Sequence, residues 1–174
     1  MDEEVALVAP DGTVIGSAPR SVVRRDNLLH AATAVLVRNS AAQIYVQLRS
    51  PDKDWAPSHH DAAAGGVMTY GEEPLASALR ELAEELGIHG AELRSLGTSV
   101  FQDDTTRCVE HVFETAWDGP IDFADDEVVE GNWLTLSELG ARLADPDWPF
   151  VPDTRLLLEG LVSRAVGDYA RLHD

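Results

Sequence analysis

Along the chain, apolar residues alternate or run together in short stretches and take a helical period in others, which predicts mixed strands and helices. Val5 to Val8 and Thr13 to Ile15 are β-prone runs flanking Pro10-Asp11-Gly12, a turn sequence, and predict an N-terminal hairpin over about residues 5–16. Ala31 to Val37 is a continuous apolar strand. Gln43 to Leu48 alternates, with Ile44, Val46 and Leu48 expected to face inward and Gln43, Tyr45 and Gln47 outward; the Asn39-Ser40 turn would pair the two. Pro51 to Gly66 reads as loop. Pro74 to Leu86 then reads as a helix, with proline in its first turn and Gly87 as its stop. Its Leu75, Leu79, Leu82 and Leu86 form a narrow stripe expected to face the core. Leu93 to Phe101, Cys108 to Trp117 and Asn132 to Thr135 follow as strands, Ser137 is expected to cap a short helix through Leu143, and a last helix is predicted over about 153–169.

Strands interleaved with two or three helices point to an α/β sandwich around a mixed sheet rather than a regular doubly wound one. At 174 residues one domain, 1–174, is expected. Charge changes the picture more than hydropathy does. Against 13 Lys and Arg stand 31 Asp and Glu, a formal net charge of -18, which disfavours nucleic acid and anionic membranes as partners. A phosphate-bearing substrate would need a bound cation or a few placed Arg and Lys side chains. One cysteine, Cys108, no long apolar span and an acidic start, Met1-Asp2-Glu3-Glu4, lead to the expectation of a cytoplasmic protein.

The candidate chemistry lies on the 74–86 helix. Glu81, Glu84 and Glu85 fall within an arc of about 100°, opposite the leucine stripe. Two of them occupy the last turn, where the helix dipole disfavours anions; Arg80 offsets part of that, and a divalent cation would offset more. Carboxylates sharing one face are ligands that Mg²⁺ or Mn²⁺ prefers. Just ahead, Gly65 and Gly66 permit close backbone approach or a turn.

From Gly66 the chain runs through Glu72 to Arg80-Glu81-Leu82-Ala83-Glu84-Glu85-Leu86-Gly87-Ile88. This resembles the Nudix box, G-x5-E-x7-R-E-U-x-E-E-x-G-U with U aliphatic, at every specified position. The resemblance implies a Nudix-type α/β/α sandwich and hydrolysis of a diphosphate bond with Mg²⁺ or Mn²⁺. It implies that Glu81, Glu84 and Glu85, helped by the Gly66 carbonyl, hold the metal, that Arg80 orients a carboxylate, and that Glu72 braces the loop. A further base for water is open among Glu81, Glu85, Glu110 and Glu127. Arg49, Lys53 and Trp55, with Cys108-Val109-Glu110-His111, resemble segments of the isopentenyl-diphosphate isomerase branch, in which the corresponding Arg and Lys grip the diphosphate. That enzyme's catalytic cysteine corresponds here to Gly65, and the histidine after its box glycine to Val67, so isomerase activity is not implied.

Outside the box, Arg49 and Lys53 are the candidate substrate contacts, one a planar fork and the other a point charge. His59, His60 and Asp61 are a weaker candidate second site, and Trp55, Tyr70 and Phe101 candidates for stacking on a base. Trp117, Trp133 and Trp148 are expected to be structural and Cys108 a small buried hydrophobe. The expectation is a hydrolase of nucleoside diphosphates, free or linked to another moiety. The alternatives are a non-hydrolytic nucleotide-binding or regulatory module and, less favoured, an isoprenoid-diphosphate isomerase. The partner expected is a small-molecule diphosphate; the hairpin and the last helix are candidates to shape a pocket or a homodimer surface.

Overall fold

A computed structural model describes residues 1–174. The strands are β1 (Glu4–Val8), β2 (Val14–Pro19), β3 (Leu29–Arg38), β4 (Gln43–Arg49), β5 (His60–Asp61), β6 (Ala63–Ala64), β7 (Arg94–Gln102), β8 (Arg107–Ala116) and β9 (Val128–Thr135). The helices are α1 (Arg20–Asp26), α2 (Pro74–Leu86), α3 (Leu136–Leu143) and α4 (Pro152–Ser163), followed by a 3₁₀ turn at Tyr169–His173.

β3 organises the sheet. One edge pairs in parallel with β8 along its whole length, from Leu29↔Arg107 to Arg38↔Ala116. The other is shared in turn by β1 at Leu7↔His30, by Val67 and β6, and by β4 at Arg38↔Ile44. β4 continues away with β9 and β5 as antiparallel partners, so the mixed sheet opens beside the segment that precedes α2. Helices cover both faces. Because successive strand residues point to opposite sides, Val35 and Val37 meet Ala78, Leu82 and Leu86 of α2, while Ala34 and Leu36 meet Leu157, Leu158 and Leu161 of α4. This is the expected α/β/α sandwich.

That two-sided burial corrects the reading of β4. Tyr45 and Gln47 are not outward: they are buried on the α2 side, opposite Ile44 and Val46. The leucine stripe of α2 is corrected as well. Leu75 and Leu79 are exposed, and the buried arc instead runs through Ser77, Ala78, Glu81, Leu82, Glu85 and Leu86. The small Ser77 and Ala78, both fully buried, let this face of the helix sit close to the sheet, which turns two leucines to the rim and two carboxyls inward.

Thr135, not Ser137, caps α3. Its hydroxyl accepts from Glu138 N at 3.1 Å and its own N–H donates to Glu138 Oε2 at 2.7 Å, a reciprocal capping box. The last helix ends at Ser163, short of 169, because Ala165 and Gly167 adopt left-handed backbone that no helix continues through. α1, too short to declare itself by periodicity, was not among the predicted elements; it brings Arg20 and Arg24 toward the sheet opening. No helix is long and apolar enough to cross a membrane.

Candidate active site

The glycine pair ahead of α2 is dictated by close approach. A Cβ on Gly65 would lie 1.9 Å from the Thr33 carbonyl oxygen, and one on Gly66 would lie 2.9 Å from Glu81 Oε1. Backbone and carboxyl therefore occupy the space a side chain would need. The Gly66 carbonyl accepts from Thr33 N at 2.9 Å, which leaves one lone pair.

Arg80 gathers the acids of the loop and helix. Its Nε and Nη2 donate to the two oxygens of Glu72 at 3.0 and 3.1 Å. Its Nη1 donates to Glu81 Oε1 at 2.8 Å and to Glu84 Oε2 at 3.0 Å. Glu72 also accepts from Thr69 N, which ties the loop to the helix, and the Arg80 hydrogen bonds hold its carboxyl below the usual range. Glu84 lies half exposed on the outer flank.

Glu85 sits on the inner flank, fully buried. Its Oε2 accepts from Gln47 Nε2 at 3.1 Å and from Gly65 N at 3.2 Å, while Oε1 lies 3.9 Å from Lys53 Nζ. Burial pushes its proton affinity up to about 7, although Lys53 and the Gln47 amide pull the other way. Glu81 is also raised to about 7, first by burial and then by Glu85. Two buried carboxyls, one of them raised by the charge of the other, are what a nearby cation would relieve, so the donor set fits a hard divalent ion chemically. In the rotamers observed Arg80 occupies two of the acids, and no three Asp, Glu, His or Cys side chains converge as a metal site.

Lys53 bridges this cluster to Glu127, with which it forms a close ion pair. Arg49 is committed elsewhere: its fork donates to the Trp55 carbonyl at 2.8 Å and the Ala56 carbonyl at 3.1 Å, and its plane lies over the Trp55 ring. It shapes the 53–56 loop. Asp54 of that loop accepts from Arg20 at 3.0 Å and Arg24 at 3.3 Å; burial opposes its ionisation, but the two guanidiniums hold it down to about 2.

Beyond Gly65 and Gly66 the sheet opening forms a cleft that also holds Glu110, Asp61 and Asp153. Glu110 is therefore placed among these acids, and Glu127 on the Lys53 side. His59 and His60 do not form a site with Asp61. The His59 ring turns to the Pro57 carbonyl, His60 stacks on Trp148 at 4.8 Å, and Asp61 is buried against Thr154. Of the stacking candidates Trp55 lines the cleft, Phe101 packs on Cys108 and Ala32, and Tyr70 is exposed. Trp133 packs edge-on against Tyr45, Trp148 on Phe150, and Trp117 bonds the Pro120 carbonyl.

Gln47, Arg20, Arg24 and Asp153 were missed from sequence. Gln47 left one signal, a polar residue between the apolar Val46 and Leu48 of a strand. The others carried none, since their approach depends on α1 and α4 docking over the sheet.

The sandwich has counterparts among known proteins. The solved structure of DR0079 from Deinococcus radiodurans superposes with a TM-score of 0.75 at 26% identity, covering 95% of this chain and 100% of that one. A MutT protein from Methanosarcina mazei shares the fold at a TM-score of 0.67 and 18% identity, over 80% of this chain and 96% of that one. In sequence, the uncharacterised Nudix hydrolase orf19 of Rhodococcus erythropolis is 43% identical over 167 residues, 90% of each chain. The uncharacterised Nudix hydrolase YfcD of Escherichia coli K12 is 38% identical over 152 residues, 87% of this chain and 82% of that one. Residues 28–154, from the start of β3 to the first turn of α4 and so including the glycine pair, Arg80 and its ring of carboxylates, match the NUDIX domain, and the chain belongs to the Nudix family.

Proposed function

We propose that the chain hydrolyses the phosphoanhydride bond of a nucleoside diphosphate, free or linked to another moiety, with Mg²⁺ or Mn²⁺ as cofactor. The observation that carries this reading is the grouping of Glu72, Glu81 and Glu84 around one guanidinium, with Glu85 on the same helix directed inward to the Gly65 amide. Glu81, Glu84 and Glu85, with the remaining lone pair of the Gly66 carbonyl, would hold the cation, which neutralises the diphosphate and acidifies water.

The chain's own groups divide the remaining work. Arg80 and Glu72 fix the loop to the helix, so the carboxyls are ordered before substrate arrives. Lys53 carries a positive charge beside Glu85 and is the direct phosphate contact; Arg49 acts through the loop it holds. A base for the attacking water must exchange its proton near neutrality. Glu81 and Glu85 stand at the box itself, whereas Glu127 is paired to Lys53 and Glu110 faces the cleft acids. Against a protonating isomerase stands Gly65, since a cysteine there would drive its Cβ into the Thr33 carbonyl.

A phosphate-release screen over nucleoside diphosphates and dinucleotides, with Mg²⁺ or Mn²⁺, tests the reading. Metal-dependent turnover is expected to fall by at least about 100-fold in Glu84→Gln with the melting temperature unchanged. Unchanged turnover in both Glu84→Gln and Glu85→Gln overturns the metal assignment. Silence across the panel, with nucleotides still raising the melting temperature, favours the binding module.

A further inference from the structure

The cleft beside Gly65 and Gly66 encloses about 70 Å³. Sites for small molecules commonly hold about 300 to 1,000 Å³, so a nucleotide-sized ligand does not fit in this state of the molecule. Residues 53–58, between β4 and β5, span the cleft and bring Lys53 and Trp55 into its lining. The neck of this segment closes on one atom: the Ser50 carbonyl accepts from Lys53 N at 3.3 Å and from Ser58 N at 3.4 Å. Beyond the neck, no backbone group of residues 54–57 pairs with other backbone.

Side chains hold the segment across the cleft. On one side Asp54 accepts from Arg20 Nε at 3.0 Å and from Arg24 Nε at 3.3 Å, both on α1. On the other, the Trp55 indole N–H donates to the Thr105 hydroxyl at 3.0 Å, in the turn between β7 and β8. The Arg49 fork bonds the Trp55 and Ala56 carbonyls. The ion pairs lie close to water, with 40% of the Asp54 side chain exposed and 32% and 22% of its two partners, so each contributes little and is weakened by salt. Ala56 and Ser58 also adopt left-handed backbone, at φ of 45° and 57°, which disfavours any residue with a Cβ. Trp55 packs on Ala32, Phe101 and Cys108, and Cys108, itself part of the cleft lining, is 5% exposed.

We propose that residues 54–57 are a gate: they turn about the neck formed by Lys53, Ser58 and the Ser50 carbonyl, release Asp54 from Arg20 and Arg24 and Trp55 from Thr105, and so open the cleft. The proposal rests on the hydrolase reading for what enters, whereas the opening itself needs no substrate. A segment tied by exposed ion pairs and a few side-chain hydrogen bonds opens far more readily than one laced into a sheet, as β4 is to β9. Water replaces Arg49 at the two carbonyls when the segment lifts, and the left-handed backbone at Ala56 relaxes, which offsets part of the cost. Lys53, at the neck, stays beside Glu85 while Trp55 uncovers the wall that carries Cys108.

Cys108 is the one cysteine of the chain and reports the opening. The full chain, in EDTA and without nucleotide, is treated with methyl methanethiosulfonate, a small neutral thiol reagent, and modification is timed by mass spectrometry beside urea denaturation of each protein. Asp54→Ala is expected to be modified at least about 5-fold faster than wild type with its urea midpoint unchanged. Asp54→Glu, which keeps the ion pairs, is expected to be modified more slowly than Asp54→Ala. A smaller acceleration in Asp54→Ala overturns the gate, and so do equal rates in Asp54→Ala and Asp54→Glu. A rate that rises only as far as global stability falls overturns it too, because Cys108 is then reached by unfolding. Should Asp54→Ala not fold, Asp54→Asn, close to aspartate in size but uncharged, takes its place under the same criteria. Failure of the hydrolase reading would show elsewhere, as absence of metal-dependent phosphate release, and would leave the modification rates as they are.

Discussion

Glu85→Gln should change how stability depends on pH more than it changes stability at any one pH. Glu85 is fully buried and its proton affinity rises from an ordinary 4.5 to about 7, chiefly through burial. A carboxyl raised in the folded state favours folding while protonated. Its contribution is intact below about pH 4.5 and is lost as pH climbs through 7, because the unfolded chain releases the proton first. Over that window the wild type forfeits about 3 kcal/mol, from the shift at about 1.4 kcal/mol per pH unit. Glutamine has no proton to lose, and removing the Glu85 charge also relieves Glu81, which acts in the same direction. Urea denaturation of both proteins in EDTA, from pH 4.5 to 8, should therefore show the stability of Glu85→Gln rising relative to wild type by about 3 kcal/mol and levelling off above pH 7. Taking the difference cancels other groups, such as His30, whose burial depresses its affinity to about 4 and gives stability the opposite slope. A difference flat to within about 0.5 kcal/mol, or one falling with pH, would refute the burial argument.

Other substitutions test neighbouring parts of the same reasoning. Gly65→Ala places a Cβ 1.9 Å from the Thr33 oxygen, backbone against backbone, and should cost about 4 kcal/mol or more in urea denaturation. Gln47→Leu removes a donor from the Glu85 carboxylate and from the Ala63 carbonyl; a loss of about 2 kcal/mol at pH 8, smaller at pH 5, is expected from chemical denaturation. Glu84→Gln, half exposed and sharing Arg80 with two other acids, should alter stability by less than about 0.5 kcal/mol, so a large fall in its melting temperature would contradict the geometry. Thr135→Ala breaks the capping box and should cost about 1 kcal/mol, read from the thermal midpoint.

Local chemistry made much of this protein legible from its amino acids alone. The strand cores, Pro74 and Gly87 bounding α2, the two glycines and the spacing of Glu72, Arg80, Glu81, Glu84 and Glu85 all depend on residues near one another in the chain, where backbone preference and period decide the outcome. Which way each face turned did not. The wheel of α2 places leucines opposite carboxylates, and sequence reasoning sends the leucines to the core; the docked helix buries Ser77, Ala78, Glu81 and Glu85 and exposes Leu75 and Leu79. Gln47 likewise became an inner residue because helices cover both faces of β4, a fact about layers and not about its alternating pattern. The cleft is wholly tertiary: Arg20 from α1, Glu110 from β8, Asp61 from β5 and Asp153 from α4 meet only when four distant segments close over the sheet opening. Period and spacing describe one segment at a time, whereas the surroundings of a buried charge are set by every segment that excludes water from it, and those are chosen by packing.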